Sequence, residues 1–322
     1  MDYAFVYKQQ DDISIRSGLL WFCVEGARTI LISGTRGAGK TSLLSALMLL
    51  LMKRYRVITV EDTLEIPTDV FTKLGYDMLS LKVQSAITGE KAEMSADEGI
   101  RTTLRLGDSS LIVGEVRSTE AKALYEAMRV GALSNTVMGT IHGENAYGVF
   151  DRVVNDLNVP RTSFKATDLI VSVNKIKSED RLTERRRVSG ITEVRKDWND
   201  DPLYENGFVD LVKYDIHKDL LNPSNDLLEG NSYVVKEIAS RVEDWAGNWD
   251  AVLDNIKARG EILNAISEHA NATKNPSFLE AEFTSSAIDQ YYDIISKLKE
   301  EYGSAEGKNI KSMFDLWLKN KK

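Results

Sequence analysis

Nine consecutive residues carry the strongest chemical signal in the chain: Gly34-Thr35-Arg36-Gly37-Ala38-Gly39-Lys40-Thr41-Ser42. A glycine, four residues and then Gly-Lys-Thr is the spacing of a phosphate loop. Glycines let backbone N–H groups converge on phosphate oxygens, and the first turn of a following helix adds partial positive charge at the same point. Lys40 supplies a point charge for the outer phosphates, and the Thr41 hydroxyl is a ligand type for Mg²⁺. The pattern predicts binding of a nucleoside triphosphate.

Hydrolysis also needs an acid to handle the attacking water and oxygens to hold the metal. The apolar run Leu111-Ile112-Val113 ends on Gly114-Glu115, with glycine where such strands usually place aspartate. Glu115 is therefore the candidate to polarise a water or assist the metal. Glu61, Asp62 and Glu65 follow a second apolar run and can supply what the missing aspartate does not. His142 ends a third run, and Arg101, Arg105 and Arg117 flank the Glu115 segment, arginine being suited to bridging phosphate. Taken alone, a histidine ending a strand is usually a satisfied hydrogen-bonding group, and each arginine an ion-pair partner.

These residues need strands that end on one rim. Apolar spacing predicts a helix over residues 13–25, a strand over 29–33, and a buried helix over 42–51. Strands are expected at 57–60, 111–115, 136–141 and 168–173, with helices at 100–106, 121–132 and 146–157 between them. Residues 84–100 are polar and glycine-punctuated, which predicts a surface loop. Strand alternating with helix implies right-handed parallel crossovers, with ligands at the carboxyl ends of the strands. Segments 187–195 and 207–215 read as edge strands. Beyond residue 222 helical spacing recurs near 232–245, 250–271, 278–302 and 308–320. The expected division is a lead-in over 1–27, an α/β domain over 28–221 and a helical region over 222–322.

The chain has 322 residues, 43% hydrophobic and 28% charged, a composition of ordinary globular proteins. A net charge of −8 argues against broad electrostatic binding of nucleic acid. The single cysteine, Cys23, lies in an apolar run and reads as a buried thiol. There is no signal-peptide pattern, and no apolar run approaches the roughly 20 residues that span a bilayer. A cytoplasmic chain with at most peripheral membrane contact is expected.

Together the motifs resemble the type II/type IV secretion superfamily of ATPases. Glu61-Asp62 with Glu65 is similar to that family's acidic box, and Leu111-Ile112-Val113-Gly114-Glu115-Val116-Arg117 to its atypical Walker B. Gly139-Thr140-Ile141-His142-Gly143 resembles its histidine box. Arg101-Thr102-Thr103-Leu104-Arg105-Leu106-Gly107-Asp108 is similar to its arginine-bearing lead into Walker B. Order and spacing agree over residues 13–215, and the flavour is that of the archaeal GspE-like branch, which drives type IV pilus-like filaments. The resemblance implies a RecA-like α/β core with a mainly parallel sheet, use of ATP and Mg²⁺, and a homo-hexameric ring with sites near subunit boundaries. It also implies a polytopic membrane platform protein as partner, with assembly of a filament or secretion as the output.

Carried onto this sequence, Lys40 and Thr41 hold phosphates and metal, with Glu61 and Glu115 as further metal-side acids. Glu115 becomes the catalytic glutamate, Glu61 a second essential acid and His142 a sensor of phosphate. Arg101, Arg105 and Arg117 become stabilisers of charge on the transferred group. About 30 residues precede the loop, so the family's N-terminal domain is expected to be missing from this chain. Gly131 stands where a Gly-His pair is common, and Ala132 replaces that histidine. An ATP-binding assembly subunit with little hydrolysis, or a nucleic-acid motor on the same core, are the alternatives.

Overall fold

The computed structural model describes residues 13–84, 94–107, 109–118, 120–130, 135–179 and 182–321. Most of the loop expected over 84–100, and the positions of Asp108, Gly131 and Ala132, lie outside them.

Six strands run parallel. In chain order they are β1 (Thr29–Gly34), β2 (Arg56–Glu61), β3 (Asp77–Lys82), β4 (Ser109–Val116), β5 (Val137–Ile141) and β6 (Leu169–Lys177). The spatial order is β3-β2-β4-β5-β1-β6, so one strand separates the phosphate-loop strand from the Glu115 strand. This is the RecA-like α/β arrangement. β1, β5 and most of β2 and β4 are buried, as strands covered on both faces must be, which is why they read as continuous apolar runs.

The sheet then continues antiparallel through β7 (Glu184–Val194), β8 (Phe208–Asp215) and β9 (Leu220–Pro223). Segments 187–195 and 207–215 are not at the edge as expected: β7 and β8 each pair on both sides, and β9 is outermost. β3 and β9 were not legible. β3, on the opposite edge, has no buried residue, and half its side chains are polar and exposed.

Helices cover both faces. One face carries α1 (Ile13–Glu25) and α2 (Lys40–Met48), with α3 (Thr68–Lys73) contributing Phe71 to the same core. The other carries α4 (Ala96–Thr103), α5 (Glu120–Val130), α6 (Ala146–Asp151) and α7 (Arg161–Phe164). Ser95 and Glu98 form a reciprocal capping box that starts α4, several residues before the expected helix. The helix expected over 146–157 changes pitch, with α6 running into a π-helical turn at Arg152–Asp156.

The chain ends in α8 (Asn225–Leu228), α9 (Tyr233–Ala239), α10 (Trp249–Thr273), α11 (Ala281–Tyr302) and α12 (Gly307–Lys319). They share the hydrophobic core of α1 and α2. α10 lies directly on α1, where a Cβ on Gly18 would fall 1.8 Å from the Ile256 carbonyl oxygen, so only glycine allows the approach. Arg259 of α10 is buried with its guanidinium among the rings of Trp21, Phe22 and Tyr291, paired with Glu25. Cys23 is buried in the same layer, and burial pushes its thiol well above its ordinary range. Among the described residues no helix is long and apolar enough to cross a membrane.

A single carboxylate ties α9 to the sheet. Glu193 of β7 is fully buried and accepts from Ser232 Oγ at 2.5 Å and from the Tyr233 and Val234 N–H groups at 3.1 Å each. It satisfies the free donors of the α9 N-terminus. Glu193→Ala leaves those donors buried without a partner, and urea unfolding should show a loss of about 3 kcal/mol or more. A loss under about 1 kcal/mol would show that water replaces the carboxylate.

Candidate active site

β1 leaves the sheet at Gly34 and turns through the phosphate loop into α2. Gly37 and Gly39 have φ of 72° and 98°, the left-handed region that other residues resist. Ala38 is buried under the loop, whereas Thr35, Arg36, Gly37 and Ser42 are exposed. Lys40 Nζ donates to the carbonyls of Gly34 (3.0 Å) and Thr35 (3.2 Å), folded onto the loop it serves. Burial lowers its ammonium pKa, with the charges of Glu115 and Glu65 pulling the other way. Thr41 Oγ1 donates to Glu65 Oε2 at 2.9 Å.

Glu61 ends β2 and is only 2% exposed. Its Oε1 accepts from the backbone N–H groups of Glu65 and Ile66, both at 3.0 Å, while Oε2 is buried without a hydrogen-bond partner. Burial raises its carboxyl pKa, and the two backbone hydrogen bonds oppose that. The neighbouring strand explains its room. A Cβ on Gly114 would lie 2.8 Å from Glu61 Cγ, a distance real Cβ atoms do not adopt. Any side chain at position 114, an aspartate included, would meet Glu61.

Beyond Gly114 the β4–β5 register shifts between Val113 and Val116, a bulge that re-aims the intervening Glu115. Thr140 Oγ1 holds the bulge by donating to the Gly114 carbonyl at 2.6 Å. Glu115 Oε1 is 2.9 Å from His142 Nε2, and Oε2 accepts from Arg117 Nε at 2.6 Å. Arg117 Nη1 is 3.4 Å from Asp62 Oδ2. Burial first, and then the charge of Lys40, lower the His142 pKa, with Glu115 opposing.

Lys40, Thr41, Glu61, Glu65, Asp62, Glu115, Arg117 and His142 therefore belong to one linked rim at the carboxyl ends of β1, β2, β4 and β5. Arg101 does not join it. That side chain pairs with Asp97 (3.2 Å) and Glu126 (2.9 Å), between α4 and α5. Arg105 is exposed and makes no ion pair among the described residues. Arg152, in the π-helical turn and not among the candidates from the sequence, adds a positive charge that helps lower the His142 pKa. Its only signal was an arginine ten residues after the histidine on a helical pattern.

The family model for type II/IV secretion system proteins matches residues 17–191, more than half of the chain, and the chain belongs to that family. It is 29% identical over 248 residues to an uncharacterized protein of Methanocaldococcus jannaschii, across 76% of this chain and 83% of that one. It is 35% identical over 125 residues to the competence protein ComGA of Streptococcus pneumoniae, covering 38% of this chain and only 35% of ComGA. The solved VirB11 ATPase from the Brucella suis type IV secretion system aligns over 56% of this chain and 51% of its own, with 20% identity and a TM-score of 0.42.

If Glu61 occupies the place of a Gly114 side chain, the two positions must couple. Gly114→Ala should cost about 1–3 kcal/mol by overpacking. In a Glu61→Ala background most of that cost should vanish, a coupling of about 0.5–3 kcal/mol read by denaturant midpoints of the four proteins. Additive costs would show that Glu61 does not fill the slot.

Proposed function

We propose that this chain is a Mg²⁺-dependent ATPase that powers filament assembly or protein secretion through a membrane platform protein. One observation carries the reading. A phosphate loop, a buried acid with a free oxygen, a second acid and a histidine meet at one sheet rim in a chain of the secretion family.

Lys40 leaves the Gly34 and Thr35 carbonyls to contact the outer phosphates of ATP. The backbone N–H groups of residues 35–42 and the start of α2 face the same phosphates. Mg²⁺ in such sites takes one or two protein oxygens and completes its shell with phosphate and water. Thr41 Oγ1 and the unpartnered Oε2 of Glu61 fit that need, with Glu115 beside them. The metal supplies neutralisation of charge on the transferred group. Glu115 accepts the proton of the attacking water at a carboxylate oxygen, once the Arg117 or His142 contact yields. His142, bonded to Glu115 and close to Lys40, reports whether phosphate is present.

In this structure Glu115 is closed by both neighbours and Lys40 by its own loop. That self-pairing favours a site with little turnover until another subunit opens it. The ring we propose is a homo-hexamer. Arg101 and Arg105, which stand apart from their own chain's rim, are assigned to charge stabilisation across the subunit boundary. Arg117 serves within the chain. Residues 28–221 form the motor and residues 222–322 a helical region around it, with the assembly on the cytoplasmic face of the membrane. The net charge of −8 argues against nucleic acid as the substrate.

Removing the proton acceptor separates binding from chemistry. Glu115→Gln should bind Mg-ATP as wild type does and lose hydrolysis by about 10²-fold or more. Lys40→Ala should lose nucleotide binding itself. Steady-state phosphate release and fluorescent-nucleotide titration check both, and unchanged turnover in Glu115→Gln contradicts its role.

A further inference from the structure

Lys175 stands near the carboxyl end of β6, on the strand next to the phosphate-loop strand. A Cβ built on Gly37 would lie 3.3 Å from Lys175 Nζ and 3.5 Å from its Cε. The ammonium therefore rests on the tip of the phosphate loop. Its partner there is Glu184, with Nζ to Oε1 at 3.0 Å across the β6–β7 hairpin. The register sets Lys175 opposite Arg186 and Lys177 opposite Glu184. Alternation then puts these four side chains on one face of the hairpin, three cations around one acid. The Lys175 hydrogen bond above all, aided by the charges of Lys177 and Arg186, holds the Glu184 carboxyl below its ordinary range.

This arrangement places a second lysine where the loop gathers phosphate oxygens. Lys40 enters from α2 below the loop, and Lys175 lies against its tip from the neighbouring strand. The Lys175–Glu184 pair is half exposed, with side chains 29% and 38% accessible, and such pairs contribute little net stability. A triphosphate carries more negative charge than one carboxylate and offers an ammonium several acceptor oxygens. We infer that Lys175 is a second phosphate-contacting cation of the nucleotide site, exchanging Glu184 for the nucleotide when it binds. The inference rests on the nucleotide reading above. Its consequence is mechanical: nucleotide occupancy releases the first residue of β7 and so reaches the antiparallel half of the sheet.

Exchange makes the two partners act with opposite sign. Glu184 competes with nucleotide for Lys175, so its removal helps binding, while removal of Lys175 hurts it. The dissociation constant of a fluorescent ATP analogue with Mg²⁺ is measured for wild type, Lys175→Met and Glu184→Gln, with melting temperatures alongside. Lys175→Met should weaken binding roughly tenfold, the size of a charged hydrogen bond. Glu184→Gln should tighten it about two- to fivefold by deleting a competing negative charge. Shifts in the same direction, or no change in Lys175→Met, overturn the inference and leave a hairpin ion pair. Should Lys175→Met fail to fold, Glu184→Gln decides alone, since unchanged or weaker binding overturns exchange. Wild type that binds no nucleotide defeats the underlying site reading, whereas binding that depends on Lys40 but not on Lys175 defeats only this inference.

Discussion

Between the carboxyl ends of β2 and β4 there is room for one side chain, and Glu61 takes it because Gly114 has none. From that carboxylate the rest of the rim follows by contact. Its two backbone hydrogen bonds fix the turn through Glu65 and Ile66. The turn brings Glu65 to Thr41 and leaves Asp62 facing Arg117. Arg117 in turn holds Glu115, and Glu115 meets His142. Four strands are thus linked through polar contacts that start from one buried acid. Burying a carboxylate is costly unless donors compensate, and here two backbone donors do so while one oxygen is left free.

The helical region is not an appendage to this rim. Arg28, buried just ahead of β1, pairs with Glu237 of α9 at 2.9 Å. Glu193 of β7 caps the same helix from the other side. α10 reaches α1 through Gly18 and through Arg259, whose partner Glu25 also accepts from the Tyr292 hydroxyl of α11 at 3.0 Å. α1 feeds β1, and β1 feeds the phosphate loop. A physical route therefore runs from the C-terminal helices to the phosphate loop through one short turn.

Much of this could be read from residue types. The buried parallel strands announced themselves as Val/Ile/Leu runs, and the phosphate loop by its glycine spacing. Glu61 and Glu115 stood out because acids directly followed such runs. What stayed hidden was relational. Nothing local says that Glu61 fills the volume above Gly114, since that contact joins strands about fifty residues apart. β3 was hidden by the polar half that an edge strand presents to water. Neighbours in sequence do not reveal that Arg101 stands off its own chain's rim, paired with Asp97 and Glu126. Lys175 was silent because its proximity to Gly37 depends on the strand order.

Thr41 and the carboxylates around it are proposed to complete a metal–nucleotide site. Pulsed electron paramagnetic resonance with Mn²⁺ in place of Mg²⁺ tests it directly. Manganese should bind the protein only in the presence of ATP, show coupling to the ³¹P nuclei of the nucleotide, and lose that bound species in Thr41→Val. Manganese held equally well without nucleotide, or bound with no phosphorus coupling, would show that these residues do not hold a metal–nucleotide complex.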